Sequence, residues 1–166
     1  MANTFELIAS YTVGSGGTAE IEFTSIPATF TDLVVKLSAR SNRADTDDLV
    51  VVEPNGSSSS LTYRSLTGNG ATASSGTVNR FYIVGDTFTA NTFSNFEMYL
   101  PNYNSANYKS WSLDTVTENN ATTAYMGMNA GLWSNTAAIT SITLSLTYGT
   151  AFKEFSSAYL YGVSNA

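Results

Sequence analysis

The chain has no histidine and no cysteine in its 166 residues. Without them a Ser-His-Asp or Cys-His nucleophilic centre cannot be built, and zinc fingers, thiol catalysis and disulfides are excluded. A Ser-Lys pair would have to use Lys36, Lys109 or Lys153, and no motif surrounds any of the three. Charge is also scarce. Charged residues make up 12% of the chain, about half the usual share. The net charge is −6, and the seven basic residues are spread along the whole length. They cannot form the basic stripe that displaces counterions from nucleic acid, so no nucleic-acid partner is expected. The thirteen acids are scattered over positions such as Glu20, Glu22 and Glu97. They read as a solvated face rather than as the paired carboxylates of a glycosidase. No apolar run approaches the ~20 residues of a membrane helix, and Met1 to Ile8 lacks the basic start and apolar core of a leader. The expectation is a soluble protein made in a cytosol, without a membrane partner, a cofactor or enzymatic activity.

Two glycine-rich stretches, "GSGG" at Gly14–Gly17 and "GNGATASSG" at Gly68–Gly76, lack the lysine and the strand-to-helix context of a phosphate loop. They read as turns. The segment "RADTDDL" places Asp45, Asp47 and Asp48 in one loop. Oxygen-rich loops can hold calcium, which makes these three the metal-ligand candidates. The spacing is not that of an EF-hand, and surface ion pairs with Arg40 and Arg43 are the simpler reading.

What the chain does have is alternation. Strand patterns recur at short intervals between Gly, Ser, Asn and Pro clusters. Thr4–Val13 puts Phe5, Leu7, Ala9, Tyr11 and Val13 on one face. Ala19, Ile21 and Phe23 alternate with Glu20 and Glu22, and Pro27 closes that strand. Asp32–Arg40 points Leu33, Val35, Leu37 and Ala39 inward and Lys36, Ser38 and Arg40 outward. Further strands are expected at Leu49–Glu53, Leu61–Leu66, Phe81–Val84, Phe93–Leu100, Lys109–Thr117, Ala121–Met128, Ile139–Tyr148 and Ser157–Gly162. In the last but one, Ile142, Leu144, Leu146 and Tyr148 form the inward stripe, with Thr143, Ser145 and Thr147 outside. The long Ser-, Gly- and Asn-rich stretch from Glu53 to Asn79 reads as hairpin tips around a short strand, or as a loop that orders on a partner.

Roughly ten strands at this spacing predict an all-β, antiparallel β-sandwich formed by residues 1–166 as one domain. A jelly roll is the preferred topology, and a Greek-key sandwich of another order is the alternative. Aromatics are plentiful, with nine Phe, ten Tyr and two Trp. Tyr99, Tyr103, Tyr108, Trp111, Tyr125 and Trp133 gather in "LPNYNSANYKSW" and "AYMGMNAGLW". Such residues beside Asn and Asp can stack on sugar rings, but core and interface aromatics look the same.

The phrases "FELIASYTV", "FTSIPATFTDLVVKLSARS", "ANTFSNFEMYLPNY", "ENNATTAYMGMNAGLWSNTAAITSITL" and "SSAYLYGVSNA" occur in this order along nearly the whole chain. Together they resemble a group of small virion structural proteins of tailed phages, especially marine and cyanobacterial ones. The "NG" at Asn55 resembles the group's turn, although "VVVEPNG" departs from the more basic strand usual there. The resemblance implies a capsid decoration or cement protein. Its partners would be the major capsid protein and copies of itself, a trimer being one natural arrangement. It would sit on the outer capsid surface of a virion assembled in the host cytoplasm. The alternative is a tail or fibre-tip component that reads host surface glycans. For either role the interface candidates are Phe5, Leu7, Tyr103, Tyr108, Trp133, Tyr159 and Tyr161, with the terminal strands available for edge pairing.

Overall fold

A computed structural model describes residues 4–79, 81–118 and 124–164. Among them every regular element is a β-strand. In chain order these are β1 (Phe5–Thr12), β2 (Ile21–Phe23), β3 (Asp32–Ala39), β4 (Asp47–Pro54), β5 (Leu61–Gly68) and β6 (Ala73–Gly76). They continue as β7 (Tyr82–Val84), β8 (Ser94–Leu100), β9 (Lys109–Thr117), β10 (Tyr125–Trp133), β11 (Ile142–Leu146) and β12 (Ser157–Val163). The strands form two antiparallel sheets, an all-β architecture consistent with a sandwich. An eight-stranded sheet runs β1-β12-β3-β8-β9-β10-β5-β6, and a four-stranded sheet runs β2-β11-β4-β7.

Both sheets follow from period-two patterning. In β3, Leu33, Val35, Leu37 and Ala39 are buried while Lys36 and Ser38 are exposed, as the sequence predicts. They meet Phe96, Met98 and Leu100 of β8 and Leu160 of β12 in one core. The small sheet supplies Ile21, Phe23, Val50, Val52, Ile142 and Leu144 to the same core. Leu144 lies opposite both Ile21 and Val52, so three aliphatic side chains stack across the strands.

The structure departs from the sequence pattern in four places. In β1 the register shifts between Leu7 and Ala9. Before that bulge, Leu7 lies opposite Tyr161; after it, Ala9 lies opposite Leu160. Adjacent residues of β12 face opposite ways, so the bulge moves Phe5 and Leu7 to the outer face and leaves Ala9 and Tyr11 on the inner one. In β11 the strand ends at Leu146. Tyr148 therefore leaves the inward stripe and is 60% exposed, with the Arg43 guanidinium 4.3 Å over its ring. Thr143, expected outside, is buried.

The third departure lies between Glu53 and Asn79, where β5 and β6 form an antiparallel hairpin that pairs through β5 with β10. The segment is therefore the end of the large sheet rather than a pair of loose tips. Fourth, the strand expected from Ala121 begins outside the described residues. The observed strand, β10, starts at Tyr125 and continues past Met128 to Trp133.

Candidate interaction surface

The outer face of the eight-stranded sheet is the largest continuous surface that strand pairing builds. Three rows of side chains cross it. One row is Leu7, Tyr161, Val34, Tyr99 and Ser112, continued by Ala130 and Arg64. The next is Tyr159, Lys36, Glu97, Asp114, Met128 and Leu66. The third is Ser157, Ser38, Asn95, Val116 and Met126. The face is aromatic near β1 and β12, charged in the middle and aliphatic near β10 and β5. At its centre Lys36 Nζ is 2.7 Å from Glu97, and that carboxylate raises the lysine's pKa. Asp114, exposed beside them, has its pKa raised first by partial desolvation and then by Glu97.

Several interface candidates belong to this surface. Phe5 and Leu7 are 54% and 51% exposed. The Phe5 ring packs 6.2 Å from the half-buried Tyr161 ring. Tyr159 is partly exposed on the outer face, and Tyr108 stands out from the loop before β9.

Tyr103 and Trp133 are a correction. Tyr103 is fully buried and its hydroxyl donates to the Pro27 carbonyl. Trp133 is 2% exposed and ends β10 facing inward, rather than standing in a loop. Both belong to the core. Trp111 is buried as well, and Tyr125 stacks on Tyr82 at 4.4 Å with the planes 9° apart. The aromatic cluster seen in the sequence is therefore not one exposed platform.

The exposed apolar side chains missed by the sequence reading are Leu66, Met126, Met128 and Phe155. The "YMGMNAGLW" alternation did place the two methionines on one face. What it could not show is that the opposite face, carrying Gly127, Asn129 and Gly131, is the buried one.

Two buried cations fix the loops at the ends of the sandwich. Arg40, expected outside, is 6% exposed. Its guanidinium donates to the carbonyls of Thr89 at 2.8 Å, Thr92 at 3.2 Å, Asp86 at 2.9 Å and Phe88 at 2.9 Å. A planar fork of five N–H donors suits such a curved run of acceptors. Lys109 is 1% exposed. Its ammonium donates to the carbonyls of Ser105 at 2.6 Å, Asn107 at 2.7 Å and Ala137 at 2.7 Å. Burial lowers its pKa, and the Trp133 ring lies 6.0 Å away. Both act as staples, and Arg40 also lines a cleft of about 370 Å³ together with Asp86, Phe88 and Glu154.

The acidic loop does not converge on a cation. Asp45 pairs with Arg43 at 2.8 Å. Asp47 lies 3.7 Å from the same guanidinium, and burial, the largest influence, raises its pKa. Asp48 is buried and accepts backbone N–H groups from Leu49 at 2.7 Å, Tyr148 at 3.2 Å and Gly149 at 2.9 Å. Its oxygens thus hold the turn after β11. Among the described residues no group of three or more acids is placed to hold a metal ion. The expected pairing with Arg43 is present, whereas Arg40 turns to the 86–92 loop instead.

Comparison with protein-family models, with curated proteins and with solved structures gives no match.

Proposed function

We propose that the chain is a non-catalytic structural protein of a phage virion, a capsid decoration or cement protein. It binds the major capsid protein and copies of itself on the outer shell. The observation that carries this reading is the strand order. Eight strands follow β1-β12-β3-β8 over β2-β11-β4-β7. This order supports reading the sandwich as a jelly roll of two interleaved Greek keys, an architecture used in viral capsid proteins and in lectins. The hairpin β5–β6 is inserted between β4 and β7, and the hairpin β9–β10 between β8 and β11. Both hairpins add to one side of the same sheet and enlarge its outer face. The phage resemblance of the sequence supports the same reading. So does the chemistry of that face, which sets aromatic and aliphatic groups on either side of a charged centre, a mixture suited to docking.

The test is co-sedimentation of the purified protein with capsids that lack it, followed by cryo-electron microscopy. Density repeated over the icosahedral shell supports the proposal. No binding to capsids, with binding to host glycans instead, would replace it with the tail or fibre-tip reading.

A further inference from the structure

We propose that copies of this chain join head to tail, with Phe155 of one copy seated in the cleft formed by Leu66, Met128 and Ala130 of the next. The inference deepens the reading above by naming the contact between copies. It is tested without any capsid, so the two can fail separately.

The knob is unusual for its chemistry. Phe155 is 71% exposed and sits at φ +72°. A bulky side chain rarely adopts the left-handed region, and such strain persists only where surrounding structure dictates it. Here the dictating contacts are visible. Phe155 N–H donates to the Val13 carbonyl at 3.0 Å, and Ser156 N–H to the Lys153 carbonyl at 3.1 Å. The buried Ser156 Oγ accepts the Arg40 backbone N–H at 3.1 Å. The turn is thus clamped from both sides, and the ring is held out in solvent. The ring stands at the rim of a cleft that it shares with Phe88 and Phe93 of its own chain, yet most of it stays exposed, and Asn or Gly would relieve the backbone.

The cleft is its complement. It lies between β10, β5 and β6, has a volume of about 660 Å³ and is lined by Arg64, Leu66, Met128 and Ala130, among others. Leu66 and Met128 are 52% and 65% exposed and lie directly opposite each other across the strands. Methionine adapts to a partner's shape and makes favourable contacts with aromatic rings.

The charges match as well. Glu154 beside the knob is exposed and forms no ion pair among the described residues. Arg64 beside the cleft is exposed and donates only to its neighbour's Tyr63 carbonyl at 2.7 Å. It too forms no ion pair among the described residues. Seating Phe155 brings Glu154 towards Arg64 and reduces the repulsion between two chains of net charge −6.

Geometry makes the contact intermolecular. Phe155 immediately precedes β12, beside the β1 edge of the large sheet, whereas the cleft lies at the β6 edge. One chain cannot fill its own cleft. A contact that joins different patches is heterologous, and it closes into a ring when its rotation allows.

The test uses sedimentation velocity on full-length chains. Phe155→Asn removes the ring and suits the positive φ, so its fold is retained. Met128→Asp places a like charge opposite Glu154 on an exposed position. Each variant alone is expected to self-associate at least about tenfold more weakly than the wild type. An equimolar mixture retains one intact knob and one intact cleft, so it is expected to form one-to-one dimers and nothing larger. Arg64→Glu should weaken association, and adding Glu154→Arg should restore it. A wild-type chain that stays monomeric up to about 1 mM, unchanged association of the variants, or a mixture that stays monomeric would each overturn the proposal. Circular dichroism of each variant separates lost contact from lost fold.

Discussion

Gly131 lies flat beneath the Trp111 indole: a Cβ built on it would come within 2.2 Å of the ring. The two residues face each other across β10 and β9, and Tyr63 flanks them with its ring 6.5 Å from that of Trp111. Gly131→Ala must therefore push a buried indole aside. Overpacking of this kind costs about 1–3 kcal/mol, read as a lower urea midpoint at unchanged slope. A neutral result would mean that the indole has room to move.

Trp133→Ala is expected to act on stability. The side chain belongs to the core, opposite Leu61 across the strands, and large-to-small truncation of a buried tryptophan costs about 3–5 kcal/mol. Leu144→Ala, at the centre of the small sheet, should cost about 2–5 kcal/mol for the same reason. Chemical unfolding measures both. Loss of capsid or self-association by Trp133→Ala with stability unchanged would contradict its burial.

Arg40→Lys tests the loop staple. A lysine cannot reproduce a fork that donates to four carbonyls of the 86–92 loop. Leaving buried acceptors unpaired costs roughly 1–3 kcal/mol each before the loop relaxes. The expected outcome is faster amide exchange at residues 86–93, with the exchange of β3 and β8 less affected. Uniform loss of protection would show that the arginine supports the whole sandwich rather than one loop.

Alkaline pH should destabilise the fold in part through Tyr63. Burial, and secondarily Glu53, pushes its pKa up to about 12. The unfolded chain releases this proton near pH 10, so between pH 10 and 12 the folded state binds more protons. Stability then falls as pH rises through that window and is unaffected by Tyr63 below it. Tyr63→Phe should flatten the fall measured by urea unfolding at a series of pH values. Identical pH slopes for both proteins would remove Tyr63 from the account.

The sheets were legible where each strand had an aliphatic side and a polar side. The inward positions of β3, and Ile142 and Leu144 of β11, follow directly from alternation. Three physical effects hid the rest. A bulge in β1 shifted phase after Leu7, which composition does not announce. Ahead of Trp133 the inward face of β10 carries Gly127, Asn129 and Gly131, and at Gly131 the Trp111 indole of the adjacent strand fills the space a side chain would take. Nearby, the hydroxyls of Ser65, Thr67 and Thr115 are also buried, so polarity pointed the wrong way across three strands. Finally, Arg40 and Lys109 look like surface residues in any pattern, and only the surrounding carbonyls make their burial tolerable. The same limits apply to the surface. Phe5 and Leu7 could be named from the sequence, but the distinction between Tyr103 in the core and Phe155 in solvent depends on tertiary packing.

The nesting of strand pairs has a consequence for synthesis. Among the described residues β1 pairs only with β12, and β2 only with β11. During translation the earliest strands leave the ribosome long before their partners exist. The pairings of consecutive strands, β5–β6, then β8–β9, then β9–β10, are the local ones available first. Until the last strand emerges, β1 is a free apolar ribbon, open to any other strand that offers an edge. Its early charge, Glu6, and its bulge then act as guards during the wait as much as features of the finished sheet. Slow emergence of the segment carrying β11 and β12 should accordingly lower the yield of soluble chain more than slow emergence of the segment carrying β1 and β2.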